Sequence, residues 1–354
     1  MSLPGESLVG PVEWVRAQGP SSDVVLSSRV RLARNLAGFR FVQRCDTHER
    51  QAVVDRVRVA FHALPASKVA WIDVQQLDNA ERMLLVERHL ISKLMQRGRP
   101  GANDPRGVGV STPEHRLSIM VNEEDHLRIQ TLRPGLALDE AWTHANTIDD
   151  ELEAGLDFAY SPQLGYLTAC PTNLGTGVRM SVMLHLPAIR VTGDIEKVKR
   201  AAGDMGLTVR GSYGESSDAA GDLFQISNQI TLGKPESMIL AEMQETIIPQ
   251  VVRYERIARD GLLKKRTPVI ADMCWRALGV LRSARLIAAE ESMQHLSLVR
   301  LGAVAGVLPE IPVRRINELL LLVQPAHLQR AMGRELDQDA RREARAELLR
   351  AWLA

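Results

Sequence analysis

Two polar segments, about ninety residues apart, contain the side chains most suited to chemistry. Residues 122–126 read Asn-Glu-Glu-Asp-His, and residues 210–215 read Arg-Gly-Ser-Tyr-Gly-Glu. An arginine side chain binds phosphate oxygens through its forked N–H groups, whereas a pair of carboxylates can hold a planar guanidinium and accept its proton. The combination favours a reaction between a phosphate and a guanidinium, namely phosphoryl transfer.

Glu124 and Glu215 are the candidate catalytic carboxylates. A guanidinium has a pKa above about 12, so its nitrogen is a poor nucleophile until a base orients it and removes a proton. Two carboxylates on separate loops can hold opposite edges of this group and align one nitrogen with the γ-phosphorus of ATP. The alternative is a solvated hairpin tip, because Asn, Asp and Gly are common turn residues.

Five arginines are the candidate ligands of the ATP phosphates. They lie on predicted strands or at strand ends beside polar turns: Arg29, Arg31, Arg128, Arg179 and Arg210. Phosphoryl transfer spreads negative charge over the equatorial oxygens, and arginines together with Mg2+ neutralise it. We therefore predict ATP and Mg2+ as cofactors, with the metal held mainly by the nucleotide. The alternative is an ordinary exposed strand face, where charged residues are usual.

A turn at residues 170–177 reads Cys-Pro-Thr-Asn-Leu-Gly-Thr-Gly and lies between the two segments. Glycine is the usual residue where the backbone needs a positive φ, so Gly175 and Gly177 indicate a tight turn more than a ligand site. A single cysteine such as Cys170 is commonly a small buried residue. His89 lies in a helical pattern, where it would ordinarily face solvent.

The periodicity predicts the scaffold that must position these residues. Strands are predicted from residue 24 to 32, 117 to 121, 126 to 131, 180 to 186, 207 to 210 and 223 to 231, with a hairpin turn at residues 122–125. Helices are predicted at residues 50–60, 78–97 and 138–155. The order of elements predicts an α+β fold with a mainly antiparallel sheet flanked by helices.

The length of 354 residues predicts more than one domain. We predict an N-terminal segment at residues 1–22, a catalytic domain at residues 23–260 and an all-α domain at residues 261–354. Apolar residues recur at helical spacing in the last of these, which suits either a dimer interface or an ordinary core.

Charge and composition exclude several classes of protein. The 44 basic and 43 acidic residues leave a net charge of +1, so no overall field would hold nucleic acid or an anionic membrane. The apolar stretch at residues 316–323 is far shorter than the roughly 18 residues of a membrane helix. Three scattered cysteines and no visible secretion signal predict a cytoplasmic protein.

Five ordered motifs resemble those of the phosphagen (guanidino) kinases, the family of creatine kinase and arginine kinase. They lie at residues 27–31, 122–128, 170–176, 210–215 and 226–228. The resemblance implies an eight-stranded antiparallel sheet, a guanidinium clamp of Glu124 and Glu215 with Cys170 nearby, and His89 beside the adenine. It also implies that ATP binds to the five arginines and to Ser27, Ser28, Val30, Met180, Ser181, Val182, Met183, Gly211, Ser212, Tyr213 and Gly214.

Departures from the small-substrate members favour a protein as the substrate. Those members carry a helical domain before the first arginine pair, whereas 28 residues precede Arg29 here. Met183 stands where they have a second histidine beside the adenine. With its added helical domain, the chain resembles the bacterial protein arginine kinases. A kinase for free arginine or another guanidino metabolite, and a non-catalytic phosphoarginine-binding adaptor, are the alternatives.

The same resemblance implies a regulatory phosphoarginine site with the motif Arg-Asp-x-x-Arg-Ala. Residues 341–346 read Arg-Arg-Glu-Ala-Arg-Ala, so Arg341 and Arg345 are the candidate ligands and Arg342 replaces the aspartate. Loss of that carboxylate predicts weak or absent activation by phosphoarginine. The alternative is a solvated basic helix face.

The resemblance further implies a set of partners. These are protein substrates that include a heat-shock transcriptional repressor, an activating zinc-binding adaptor, a Clp-type unfoldase and protease, and a second copy of the chain in a homodimer. In that setting, arginine phosphorylation would mark proteins for regulated degradation or inactivate the repressor.

Overall fold

The computed structural model describes residues 12–64, 69–97, 104–211 and 219–354. Four predicted site residues, Ser212, Tyr213, Gly214 and Glu215, lie outside the described residues.

An eight-stranded antiparallel sheet forms the centre of the described fold, as the family resemblance implied. Its strands are β1 (Val25–Arg34), β2 (Val69–Asp73), β3 (Gly107–Ser111), β4 (Leu117–Val121), β5 (Leu127–Pro134), β8 (Val178–His185), β9 (Leu207–Gly211) and β10 (Leu223–Asn228), while β6 (Tyr160–Ser161) and β7 (Gly165–Tyr166) form a separate hairpin. The spatial order is β2, β3, β4, β5, β1, β8, β10, β9. Strand β1 therefore lies near the middle, between β5 and β8.

Helices flank the sheet and make up most of the C-terminal part. They are α1 (Thr47–Ala63), α2 (Asn79–Glu87), α3 (Lys93–Arg97), α4 (Leu138–Glu153), α5 (Pro187–Val191), α6 (Ile195–Asp204), α7 (Glu236–Ala241), α8 (Ile248–Ser283), α9 (Ala289–Val304), α10 (Val313–Leu322), α11 (Pro325–Met332) and α12 (Gln338–Leu353). A π-helical turn, Glu242–Ile247, joins α7 to α8. Within the described ranges, none of these helices is both long and apolar enough to cross a membrane.

One face of the sheet carries the larger apolar core. Val30 and Leu32 of β1 are fully buried there in one cluster with Phe61 of α1 and Ile148 of α4. Because side chains alternate across a strand, Arg29 and Arg31 must point to the opposite face. The central strand thus separates a face that stabilises the fold from a face that can bind ligands.

The helices on the other side form two further clusters. Leu85 of α2 and Met95 of α3 pack with Val108 and Met120 of the sheet. The C-terminal helices α8–α12 build a separate core, which includes Leu26 from β1. This arrangement confirms a sheet domain flanked by helices and followed by a helical part.

Helix α8 is continuous across the predicted boundary between residues 260 and 261. It runs for 36 residues and is distorted at Arg266, where φ is −139°. Pro268 accounts for the distortion, because proline lacks the amide donor and its ring displaces the preceding turn. The catalytic and helical parts are therefore joined through one long helix that is kinked at Arg266.

The prediction of a single helix at residues 78–97 is wrong. Helix α2 ends at Glu87, and α3 starts at Lys93. Between them His89 adopts φ of +60°, a left-handed conformation that is uncommon for a residue other than glycine. Neither Gly nor Pro signals this break in the sequence. As a result, the His89 ring borders a cleft beside the sheet instead of facing solvent.

Candidate active site

The strand register places the polar residues in rows on one face. Arg31 of β1 pairs with Arg179 of β8, and two residues along the strand Arg29 pairs with Ser181. Paired residues in a sheet point to the same face. Further pairs extend this surface: Ala33 with Arg128, Ser181 with Ser227, Met183 with Gln225, and Gln225 with Arg210. The register thus brings all five predicted arginines together.

These arginines line one cleft of about 690 Å³, a volume typical of small-molecule sites. Glu124, Cys170 and His89 line the same cleft, as does Gly211. The structure therefore brings together Glu124, Cys170, His89 and the five arginines predicted to bind the ATP phosphates. The remaining candidate carboxylate, Glu215, follows four residues after Gly211 in the sequence.

The arginine cluster concentrates positive charge in the cleft. Burial, together with the nearby guanidinium groups of Arg179 and Arg128, lowers the pKa of Arg29 to about 10. Burial and the same kind of like-charge contact lower the pKa of Arg31 well below its usual value, although Glu123 opposes the shift. A bound polyphosphate would relieve this repulsion.

Hydrogen bonds hold some of the arginine guanidinium groups in place more fully than others. Arg29 donates from Nη2 to Gln225 Oε1 at 2.9 Å and from Nε to Ser181 Oγ at 3.3 Å. Arg179 donates from Nη2 to Ser227 Oγ at 3.0 Å. The Arg31 Nε is buried and has no hydrogen-bond partner among the described residues. Such a donor costs roughly 1–3 kcal/mol, which a phosphate oxygen would offset.

Glu123 and Glu124 hold Arg128 from two directions. The Arg128 Nη1 lies 2.7 Å from a Glu123 carboxylate oxygen, and its Nη2 lies 3.1 Å from Glu124 Oε2. Glu123 is buried and also accepts the Ser92 hydroxyl at 2.6 Å. The Glu124 side chain is 35% exposed. Glu123 therefore positions Arg128, and Glu124 is the carboxylate that a substrate can reach.

Asp125 ties the acidic turn to the turn that begins at Cys170. Its buried Oδ1 accepts the Asn35 side-chain amide at 2.6 Å and the Ala169 backbone amide at 2.7 Å. Burial raises the pKa of Asp125, and these two hydrogen bonds oppose that rise. The bonds fix the positions of Glu124 and Cys170 relative to each other.

The glycines of the Cys170 turn are needed for backbone reasons. Gly175 and Gly177 have φ of 103° and 66°, as the turn prediction required. A Cβ on Gly175 would lie 2.5 Å from the Thr231 carbonyl oxygen, and one on Gly177 would lie 2.7 Å from the Ala33 carbonyl oxygen. Only glycine permits these close approaches, of Gly175 to Thr231 and of Gly177 to the end of β1.

The His89 ring borders the main cleft and an adjoining smaller cavity. Burial and the nearby guanidinium groups of Arg29 and Arg31 lower its pKa to about 3, so the ring is neutral at neutral pH. The Trp14 ring lies 5.3 Å away, measured between ring centroids. A neutral aromatic ring in this place suits contact with a nucleobase.

Four predicted ATP-binding residues do not direct their side chains into the cleft. These are Ser28, Val30, Met180 and Val182, all fully buried. Ser28 instead donates to the Gly135 carbonyl at 2.8 Å and accepts the Ala137 amide at 3.0 Å. The reason is strand alternation, which sends every second residue of a contiguous motif to the other face. Ser27, Ser181 and Met183 border the smaller cavity beside His89.

Two functional candidates were not assigned from the sequence. Gln225 contacts Arg29 and lines the cleft, and its spacing of two from Ser227 on a predicted strand was an available signal. Glu123 lies beside Glu124 in the same turn. Sequence alone does not distinguish which of the two carboxylates is buried, because the contacts with Ser92 and Arg128 decide it.

The predicted regulatory arginines make internal contacts in the helical part. Arg345 is buried and donates from Nε to the Val323 carbonyl at 2.8 Å and from Nη1 to the Ile287 carbonyl at 3.1 Å. Arg341 donates to the Leu336 carbonyl at 2.9 Å. Arg345 therefore satisfies carbonyls at the end of α10 and just before α9, which is not the role of a solvated basic face.

Both parts of the chain match known protein families. The family model of the ATP:guanido phosphotransferase C-terminal catalytic domain matches residues 52–258, and that of the protein-arginine kinase McsB C-terminal domain matches residues 267–354. A solved lombricine kinase shares the fold, with a TM-score of 0.59 and 24% identity over 71% of this chain and 72% of that chain. The fold and cleft define an ATP-dependent phosphotransferase of the guanidino class.

Relatives that match almost the whole chain show which family within this class it belongs to. A protein-arginine kinase from Halothermothrix orenii is 45% identical over 96% of both chains. Another from Geobacillus stearothermophilus is 43% identical over 95% of this chain and 92% of its own. The chain belongs to the protein-arginine kinase family.

Proposed function

We propose that the cleft transfers the γ-phosphoryl group of ATP to arginine side chains of proteins. A bond forms between a guanidinium nitrogen and the γ-phosphorus, the bond from that phosphorus to the β,γ-bridging oxygen breaks, and ADP leaves. The proton of the attacking nitrogen passes to a carboxylate. The observation that carries this proposal is the convergence of five arginines and Glu124 on one cleft.

Glu124 and Glu215 would hold the substrate guanidinium and supply the base. The Glu124 carboxylate supports this role because it lines the cleft and already bonds the Arg128 guanidinium at 3.1 Å. Glu215 follows Arg210 and Gly211, which line the same cleft. Cys170, also on the cleft, would lie beside the guanidinium. Positioning by two carboxylates would provide much of the rate enhancement.

The five arginines would bind the phosphates, and His89 would border the adenine. Repulsion among Arg29, Arg31 and Arg179 supports the first role, because an anion would relieve it. Mg2+ bound to the phosphate oxygens would neutralise further charge. In the described part of the chain, no group of three or more His, Cys, Asp and Glu side chains could hold a metal ion. We propose that the nucleotide carries the Mg2+, because phosphate oxygens are usual ligands of this ion.

Membership of the protein-arginine kinase family supports wider proposals about biological role. We propose that phosphorylation marks proteins for a Clp-type protease or inactivates a heat-shock repressor, that a zinc-binding adaptor activates the enzyme, and that the helical part forms a homodimer. A cytoplasmic location would accompany these partners.

Incubation with ATP, Mg2+ and an arginine-rich unfolded protein should produce acid-labile phosphate on arginine. A phosphorus–nitrogen bond hydrolyses in mild acid, whereas phosphoserine and phosphothreonine survive it. Mass spectrometry before and after acid treatment measures this directly, and Glu215→Ala should abolish the signal. Acid-stable label would refute the proposal, and turnover of free arginine without labelling of protein would favour the metabolite kinase.

Phosphoarginine added to the reaction should activate this enzyme weakly or not at all. Arg342 stands where the regulatory motif has an aspartate, so a carboxylate that could pair with the ligand guanidinium is lost. Arg342→Asp should restore activation, measured as the initial rate with and without phosphoarginine. Strong activation of the unmodified enzyme would show that the substitution does not disable the site.

A further inference from the structure

A single buried carboxylate joins the cleft to the C-terminal helices. Glu87, the last residue of α2, is 5% exposed. Its Oε1 accepts the Ala326 amide at 2.8 Å, and its Oε2 accepts the His327 amide at 2.9 Å and lies 2.7 Å from His327 Nδ1. Glu87 therefore caps the first turn of α11, where a negative charge is favourable.

His89 lies two positions further along the chain from Glu87. Its φ of +60° is a conformation that persists only when the surroundings determine it. Gln130 donates from Nε2 to the His89 carbonyl. Between these positions Arg88 is buried, with Nη2 3.2 Å from His115 Nδ1. The backbone on both sides of the His89 ring is thus anchored.

The C-terminal helices also support the His89 ring from a second direction. The Trp14 ring lies 5.3 Å from the His89 ring. Trp14 in turn belongs to a buried cluster with Leu132 of β5 and Leu321 of α10. Helices α10 and α11 therefore both act on the residue that borders the cleft, one through Trp14 and the other through Glu87.

We propose that Glu87 is a positioning residue for nucleotide binding, which acts by capping α11 and thereby fixing the His89 ring at the edge of the cleft. The inference rests on the proposed place of His89 beside the adenine. Glu87 itself does not line the cleft, because its carboxylate is used entirely by α11. The C-terminal helices thus complete the nucleotide site without contributing a side chain to it.

Glu87→Gln tests this role by replacing one carboxylate oxygen with an NH2 group, so that a single oxygen remains to accept the two α11 amides. The Kd for ATP, measured by calorimetry without any acceptor, and the KM for ATP should each rise roughly tenfold. The KM for the protein acceptor and kcat at saturating ATP should change less than about twofold. The control Glu310→Gln, at an exposed position between α9 and α10, should change none of these.

A double-mutant cycle with His89→Ala separates positioning from general stability. If Glu87 acts through His89, the double variant should bind ATP as His89→Ala does, since the second change has nothing left to displace. Additive losses, or equal losses in kcat and both KM values, would overturn the inference. His327→Leu removes the side-chain bond to Glu87 and serves in the same cycle if Glu87→Gln does not fold.

The place of His89 beside the nucleotide and the role of Glu87 are tested by different variants. If His89→Ala alone leaves ATP affinity unchanged, the place of His89 beside the nucleotide is wrong, and the role of Glu87 falls with it. If His89→Ala weakens ATP binding but Glu87→Gln does not, only the role of Glu87 is wrong. Because the binding measurement uses no acceptor, it is independent of which guanidinium compound is phosphorylated.

Discussion

Replacing Glu124 by glutamine should lower kcat for protein arginine phosphorylation by about 10²–10⁴-fold, the range expected on loss of a general base. Glutamine keeps the length of the side chain and can still accept a hydrogen bond from Arg128, so the cleft should keep its shape. The negative charge that orients the guanidinium and the site that accepts its proton are both lost. The KM for ATP should change little, since Arg128 retains its 2.7 Å contact with Glu123.

Steady-state phosphorylation of an arginine-rich unfolded protein measures this effect, with Glu140→Gln as the matched control. The Glu140 side chain is 67% exposed and lies 3.8 Å from Arg133, so its replacement should leave kcat within about twofold of the unmodified enzyme. A Glu124→Gln enzyme that keeps a tenth or more of its activity would exclude Glu124 as the base. In that case Glu215 would have to fill both roles.

Replacing Arg31 by methionine should lower kcat by about 10³-fold or more while raising the stability of the protein. Removal of an arginine that stabilises the transferring phosphoryl group has a catalytic cost of this size. In the unliganded protein, however, Arg31 faces Arg29, Arg128 and Arg179, and its buried Nε has no hydrogen-bond partner among the described residues. Methionine removes the repulsion and the unsatisfied donor, so the free energy of unfolding should rise by roughly 1 kcal/mol.

The matched comparison is Arg34→Met, three residues along the same strand. Arg34 forms a buried pair with Asp149 at 2.6 Å and stacks on the Tyr166 ring at 3.5 Å from its centroid. Its loss should destabilise the protein by about 3–5 kcal/mol, because an unpaired buried carboxylate remains. Chemical denaturation of both variants measures the two opposite effects. A loss of stability in Arg31→Met would show that Arg31 serves the fold rather than phosphate binding.

Six of the eight strands of the main sheet were predictable because their signals are local, whereas β2 and β3 were not predicted. Alternation in residues 117–121 and 126–131, with a polar turn between them, requires only period-two spacing and turn chemistry, and the structure confirms β4, β5 and their hairpin. The same spacing placed Arg29 and Arg31 on one face. It could not show that Arg31 would lie opposite Arg179, since register depends on side chains nearly 150 residues away.

The sequence was a poorer guide to which of two adjacent residues is buried and which faces the cleft. A motif at residues 27–31 was treated as one binding segment, but strand alternation sends Ser28 and Val30 away from the cleft. The prediction of a continuous helix through His89 was wrong for a related reason. The local sequence has helical propensity, but His89 adopts a left-handed conformation. Tertiary contacts lie on both sides of it, from Glu87 to α11 and from Gln130 to the His89 carbonyl.

The sequence by itself determined the residue types of the site, the antiparallel sheet and the helical C-terminal part, because composition, periodicity and ordered motifs are properties of neighbouring residues. Only the tertiary structure decided which carboxylate of the acidic turn is buried, which arginines face one another and how α11 reaches the edge of the cleft. These choices depend on desolvation and on partners from distant strands and helices. They exist only after the chain has packed.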